Sequence, residues 1–210
     1  MIKIENVDDY GWEAAIRGMR NPMNSWNKSD SAEYEDWVAG GTYFQVGEND
    51  RKLMKTLSKA GNDHGKFLRM INVTMDITAP LYWWKEFDTY KVGTVANSCS
   101  TMHKIQAKEF TLDDFSCEHL DKEELDILDA IIVSLNWNRR KFLETKNKDY
   151  WWHMIQLLPS SYNQKRTVQL NYQVLKSMYF ARRNHKLDEW VEFCKWCETL
   201  YNFKEICIQE

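Results

Sequence analysis

Two stretches of the chain gather side chains that can hold a polar ligand. In Ala79-Pro80-Leu81-Tyr82-Trp83-Trp84-Lys85-Glu86-Phe87-Asp88-Thr89-Tyr90-Lys91-Val92-Gly93-Thr94, the polar groups Lys85, Glu86, Lys91 and Thr94 lie on an aromatic helix and on the turn that ends it. A helix end that carries polar groups and leads into a strand makes a ligand rim. The second stretch runs from Leu158-Pro159 through Asn171 to Arg182 and His185. Its Arg182 offers a guanidinium, a rigid fork of donors suited to carbonyl oxygens and to developing negative charge.

Each of these residues also has a plainer reading. Trp83, Trp84 and Tyr82 suit a core or a subunit contact, and Arg182 with Arg183 suits a solvated helix end. His64, after Asn62-Asp63, suits a polar turn. Cys194-Lys195-Trp196-Cys197 has the spacing of a metal or redox pair, but it falls in a helical pattern with Trp190, Phe193, Leu200 and Tyr201. With no second Cys or His pair at ligand spacing, it reads as an apolar helix face, and no metal site is expected.

The elements that must position these groups follow from apolar spacing and capping. Thr78 as cap and Pro80 in the first turn predict a helix that ends between Tyr90 and Gly93, followed by extended chain over Thr94–Cys99. Helices are predicted over Asp9–Met19, after an Asn49-Asp50 cap, over Lys122–Leu143, Tyr150–Leu158, Tyr172–Arg182 and Asp188–Phe203. A short helical run is predicted to end at Gly40-Gly41, and Asn21–Ser31 reads as a polar connection. Alternation of Phe67, Ile71, Val73, Met75 and Ile77 with mostly polar neighbours predicts a strand, and Thr167–Leu170 looks extended. No repeat or Pro-rich linker divides the chain, so one α/β domain over residues 1–210 is expected.

Composition narrows the class. A net charge of −3 argues against non-specific nucleic-acid binding, which needs a dense positive surface. No stretch is apolar for long enough to suggest a membrane span, and no secretory leader opens the chain, so a cytoplasmic protein is expected. Five cysteines, an odd number, fit reduced thiols. Ten tryptophans point to extensive aromatic burial and favour a homo-oligomer.

The two stretches together resemble the flavin-dependent thymidylate synthases. In that family an Ala-Pro helix with a basic/polar pair runs into Arg-His-Arg-x-x-Ser. Here Ala79-Pro80, Lys85-Glu86 and Val92-Gly93-Thr94 match it, while Thr89-Tyr90-Lys91 replace Arg-His-Arg. With one residue inserted, Asn97-Ser98-Cys99-Ser100-Thr101-Met102-His103 stands where the family has Asn-Glu-x-Ser-x-Arg-Tyr, with Met102 at the Arg; without the insertion, Ala96 and Asn97 take the Asn and Glu places. Leu158-Pro159 matches the Arg-x-x-Leu-Pro turn with Ile155 at its Arg, Asn171 and Arg182 follow at family spacing, and one small deletion brings His185 into place. Upstream, Asp63-His64 falls at a Gly-His motif whose later Glu-His is replaced by Arg69-Met70. The resemblance spans roughly residues 60 to 200.

The resemblance implies an α/β (α+β) fold with a central, mainly antiparallel sheet flanked by helices. It also implies FAD as cofactor, NADPH and methylenetetrahydrofolate as co-substrates, dUMP as substrate and a homotetramer as the working form. Residue by residue, Arg182 would hold the uracil and stabilise charge on it. His64, Lys91, Thr94, Asn171 and His185 would contact the flavin cofactor, and Lys85, Glu86 and Ser100 the nucleotide. The replaced Arg-His-Arg favours a non-catalytic homo-oligomeric binding protein, while the retained Asn171, Arg182 and His185 favour the enzyme; a third reading is a flavoenzyme or nucleotide binder using another ligand in the same cleft. Arg51, Arg69, Arg139 and Arg183 are the cations a neighbouring subunit could supply instead.

Overall fold

The computed structural model describes residues 2–36 and 40–209. In chain order the elements are β1 (Lys3–Tyr10), α1 (Trp12–Arg20), β2 (Ala32–Glu35), β3 (Thr42–Gln45), α2 (Glu48–Lys59), β4 (Asn72–Pro80), α3 (Leu81–Phe87), β5 (Val95–Ser98), α4 (Thr101–Lys104), α5 (Lys122–Thr145), α6 (Lys148–Leu157), β6 (Asn163–Asn171), α7 (Tyr172–Arg182) and α8 (Asp188–Cys197). Short 3₁₀ turns and a final π turn fill some of the connections. A four-stranded antiparallel sheet has the order β1-β4-β6-β5, and β2 and β3 form a separate antiparallel hairpin. The expected α/β class, an antiparallel sheet flanked by helices, is what the chain forms.

β4 forms because its apolar residues alternate. Val73, Met75, Ile77 and Ala79 are buried while the residues between them are half-exposed. Pro80 then ends the strand, since proline cannot donate to a ladder, and its extended backbone (φ −67°, ψ 151°) caps α3. Thr78 therefore lies in the strand instead of capping the helix, and the helix stops at Phe87, short of Tyr90.

The chain divides into two compact units. Residues 1–5, 76–89 and 96–167 make the first; residues 6–75, 90–95 and 168–210 make the second. In the first, the opening N–H groups of α3 find acceptors in the turn before β6: Leu81 N donates to Tyr162 O and Tyr82 N to Ser160 O, both at 3.0 Å. Trp83, Trp84 and Phe87 are wholly buried, and Trp84 Nε1 donates to Gln164 O at 2.9 Å. The tryptophan pair is thus core, as its plainer reading held. A second cluster, with Ile105, Phe110, Phe115, Leu128, Ile132, Leu135 and Met154, lies where α5 and α6 pack together.

In the second unit, Trp12 of α1 meets the rings of Tyr172 and Tyr201 edge-on, each at 5.2 Å between centroids. The buried Arg20 donates through Nε to the buried Asp50 at 2.6 Å. Asp50 also accepts from the Ser29 and Ser31 hydroxyls at 2.7 Å and from the Asp30 and Ser31 amides. Burial works to raise the Asp50 pKa, but these hydroxyls, Arg20 and the Asp30 amide outweigh it and hold the carboxyl below its ordinary value.

Other boundaries differ from the sequence reading. Asp9 and Tyr10 belong to β1, an unforeseen strand, and Gly11 in a left-handed turn (φ +93°) delays α1 to Trp12. The short run before Gly40-Gly41 begins as β2 of the hairpin, and its residues 37–39 lie outside the described part. Asn49 and Asp50 do not cap α2: their own amides donate to the Asp30 carboxylate at 2.9 and 3.1 Å. The strand predicted from Phe67 begins only at Asn72, after a 3₁₀ turn over Gly65–Arg69. β6 is longer than the four residues expected, and α8 ends at Cys197 instead of Phe203.

Candidate functional site

Asn171 ends β6 and begins α7. Its Oδ1 accepts from Val174 N at 3.1 Å, the N-cap bond that fixes where the helix starts. The turn before β5 packs on this cap. Gly93 has φ +77°, and a Cβ there would come within 3.0 Å of Asn171 Nδ2 and 3.2 Å of Val174 Cγ2. Glycine is therefore required both for the backbone and for the approach. The next residue, Thr94, has a buried hydroxyl with no hydrogen-bond partner among the described residues.

At the other end of α7, Arg182 is half-buried and engaged. Its Nε donates to the Tyr90 hydroxyl at 3.0 Å, and its guanidinium carbon lies 5.0 Å from the Trp190 ring centre and 5.7 Å from that of Tyr90. Trp190 is fully buried, so the cation is held against a fixed aromatic wall. His185 stands in the same corner, its ring 6.4 Å from that of Trp190, and its Nδ1 accepts from Leu187 N at 3.2 Å. The second unit thus brings together Asn171 with the Gly93-Thr94 turn, and Arg182 with His185. Lys91 and His64 are exposed, His64 just before the 3₁₀ turn at Gly65.

The first unit holds the other three residues expected to touch ligand. Ser100 caps the short α4, accepting from His103 N at 2.9 Å, and lines a cavity of about 480 Å³. Lys104, Lys108 and Lys165 line the same cavity with Cys99, Gln164 and Tyr162. Lys108 is paired with Asp114, and Lys165 with Asp76 at 3.0 Å. The Asp76 hydrogen bond raises the Lys165 pKa, so the ammonium stays charged. Lys85 is exposed and Glu86 half-buried on α3, and neither lines this cavity.

Two basic residues here escaped the sequence reading. Arg166 stacks 4.1 Å above the Trp84 ring and donates to Gln164 Oε1 at 3.0 Å and Asp88 Oδ1 at 2.7 Å. Lys165 lies beside it in sequence and faces the cavity. The Gln164-Lys165-Arg166 run within an otherwise β-like segment was the available signal. Among the described residues no cluster of His, Cys, Asp and Glu could hold a metal ion, and no helix is long and apolar enough to cross a membrane.

Solved structures place this architecture. The chain superposes on the flavin-dependent thymidylate synthase ThyX from Helicobacter pylori complexed with FAD and dUMP, at TM-score 0.69 and 14% identity, covering 98% of this chain and 97% of that one. It has the flavin-dependent thymidylate synthase fold. A second structure of the Helicobacter pylori enzyme with FAD and dUMP gives the same TM-score and identity over 99% and 97% of the two chains. No family model matches the sequence, and no curated protein does. At 14% identity the likeness is one of fold.

Proposed function

We propose that this chain is a divergent flavin-dependent thymidylate synthase-like protein that binds FAD and a uracil nucleotide, and methylates dUMP with methylenetetrahydrofolate and NADPH. The observation that carries this reading is the Thr94 hydroxyl. An unpaired buried hydroxyl costs about 1–3 kcal/mol, and a ligand oxygen beside it removes that cost. It lies in the turn packed on Asn171, so an unused hydroxyl donor is present for a cofactor with phosphate oxygens.

FAD, when bound, supplies hydride and electron transfer. The chain's own residues bind and orient. Thr94 would donate to a cofactor phosphate, and Asn171, His64, His185 and Lys91 would complete the cofactor's contacts. Ser100, Lys85 and Glu86 serve the nucleotide, with Lys104 and Lys165 supplying charge where Met102 and Ile155 replace arginines. Arg182 holds the uracil carbonyls.

The working form in this reading is one functional domain over residues 1–210, assembled as a homotetramer in the cytoplasm. Large apolar side chains exposed on α5 and α6, among them Ile127, Val133, Trp137, Trp152 and Leu157, favour self-association. The five free cysteines suit a reducing compartment.

One observation favours the second reading, a non-catalytic homo-oligomer on the same fold. Arg182 already gives its Nε–H to Tyr90, which stands in the altered signature. Titration with FAD, followed by flavin absorbance, separates the two. Saturable binding that Thr94→Val weakens supports the flavoprotein; no binding at high micromolar FAD leaves the non-catalytic homo-oligomer.

A further inference from the structure

The first unit contains a second cavity, of about 380 Å³, that neither Ser100 nor Lys165 lines. Its walls come from Met102 and His103 of α4, Gln106 in the turn after it, Phe142 of α5, and Lys148 and Trp151 of α6. The volume lies within the range of small-molecule sites, and no acidic side chain lines it among the described residues.

The apolar walls are fixed. Trp151 Nε1 donates to Met102 O at 3.0 Å, which ties α6 to α4 and spends the indole N–H, leaving ring surface for contact. Trp151 and Phe142 also pack against the apolar cluster between α5 and α6. An aromatic ring that enters here meets side chains the fold has already ordered, which lowers the cost of binding.

Lys148 sets the charge. It is the first residue of α6, where the helix dipole disfavours a cation, and it forms no ion pair among the described residues. Its Nζ lies instead 6.0 and 5.8 Å from the ring centres of Trp151 and Trp152. A carboxylate beside it would gain from the ammonium and from the positive end of α6 together.

Gln106 supplies an unused acceptor. Arg139 Nε donates to its backbone oxygen at 3.0 Å and its own Nε2 donates to His103 O at 3.2 Å, so the side chain is held in place. Its Oε1 is buried with no hydrogen-bond partner among the described residues. A buried acceptor left without a donor is costly, and an N–H on a ligand ring would satisfy it.

From these relations we infer that the cavity binds an aromatic carboxylate with a ring N–H, such as an indole carboxylate. The ring lies against Trp151 and Phe142, the N–H meets Gln106 Oε1 and the carboxylate meets Lys148. A cationic ring is repelled by Lys148, and the same body without its N–H leaves Gln106 unsatisfied. The site depends on neither flavin nor nucleotide.

Isothermal titration of the full chain with indoleacetic acid, tryptamine and naphthaleneacetic acid, with no flavin or nucleotide added, tests it. Indoleacetic acid binds about tenfold tighter than tryptamine, which carries the opposite charge. It binds about fivefold tighter than naphthaleneacetic acid, which lacks the N–H. Lys148→Gln weakens indoleacetic acid about fivefold, as expected for an exposed ion pair. In Gln106→Met the indole and naphthalene acids bind alike. The thermal midpoint of each variant reports that it is folded. No binding of indoleacetic acid, equal binding of tryptamine or of naphthaleneacetic acid, unchanged affinity in folded Lys148→Gln, or an indole preference kept in folded Gln106→Met overturns the assignment.

Discussion

Arg182 Nε donates to the Tyr90 hydroxyl at 3.0 Å, so a residue standing in place of the family's Arg-His-Arg takes one donor of the side chain expected to hold the uracil. Tyr90→Phe removes that acceptor and keeps the ring. We expect dUMP to bind several-fold tighter to Tyr90→Phe and at least tenfold weaker to Arg182→Ala, as calorimetry would show. Equal affinity for all three forms would remove Arg182 from the nucleotide site.

Thr94→Val should act with opposite signs on stability and binding. Replacing an unpartnered buried hydroxyl by a methyl of the same shape removes the desolvation cost, so the thermal midpoint of the ligand-free chain is expected to stay level or rise. FAD affinity is expected to fall about tenfold. A lower midpoint together with unchanged FAD affinity would mean that the hydroxyl serves the fold.

The Asp50 carboxyl links stability to acid. Its pKa is depressed in the folded chain, so its contribution is complete above the unfolded value, about 3.9, and is lost as pH falls below that toward the folded value. Chemical denaturation between pH 6 and pH 3 should show stability falling below about pH 4, with Asp50→Asn losing that part of the slope. Arg20→Ala strands a buried charge and should cost about 3–5 kcal/mol. A cost under about 1 kcal/mol would contradict the buried pair.

How far the sequence alone reached depended on whether the signal was local. α7 was bounded correctly because Asn171 is its cap, and β4 was recognised because Val73, Met75 and Ile77 alternate with polar residues. β1 went unseen because Lys3–Tyr10 is mostly polar and mostly exposed, held as a strand by β4 and not by its own pattern. In the candidate site, the loss of Arg-His-Arg was visible, but the Tyr90–Arg182 bond spans 92 positions and no periodicity reports it. The roles of Lys165 and Arg166 were hidden likewise, because Asp76, Asp88 and Trp84 are supplied from distant positions.

The thiols should separate by burial. Cys99 is exposed and Cys117 half-buried, while burial pushes the Cys194 pKa up to about 11, that of Cys207 to about 12 and that of Cys197 well above the ordinary value. Alkylation at pH 8, read by mass spectrometry, should label Cys99 first, Cys117 more slowly and the other three only after unfolding. Rapid labelling of Cys194 or Cys197 in the native chain would reopen a redox role for the pair.

The visible spectrum of the chain with FAD, recorded before and after dUMP is added, tests the proposed function most directly. We expect a bound-flavin spectrum that dUMP perturbs in the native chain and fails to perturb in Arg182→Ala. A spectrum identical to that of free FAD, with or without dUMP, would contradict flavin-dependent nucleotide chemistry in this protein.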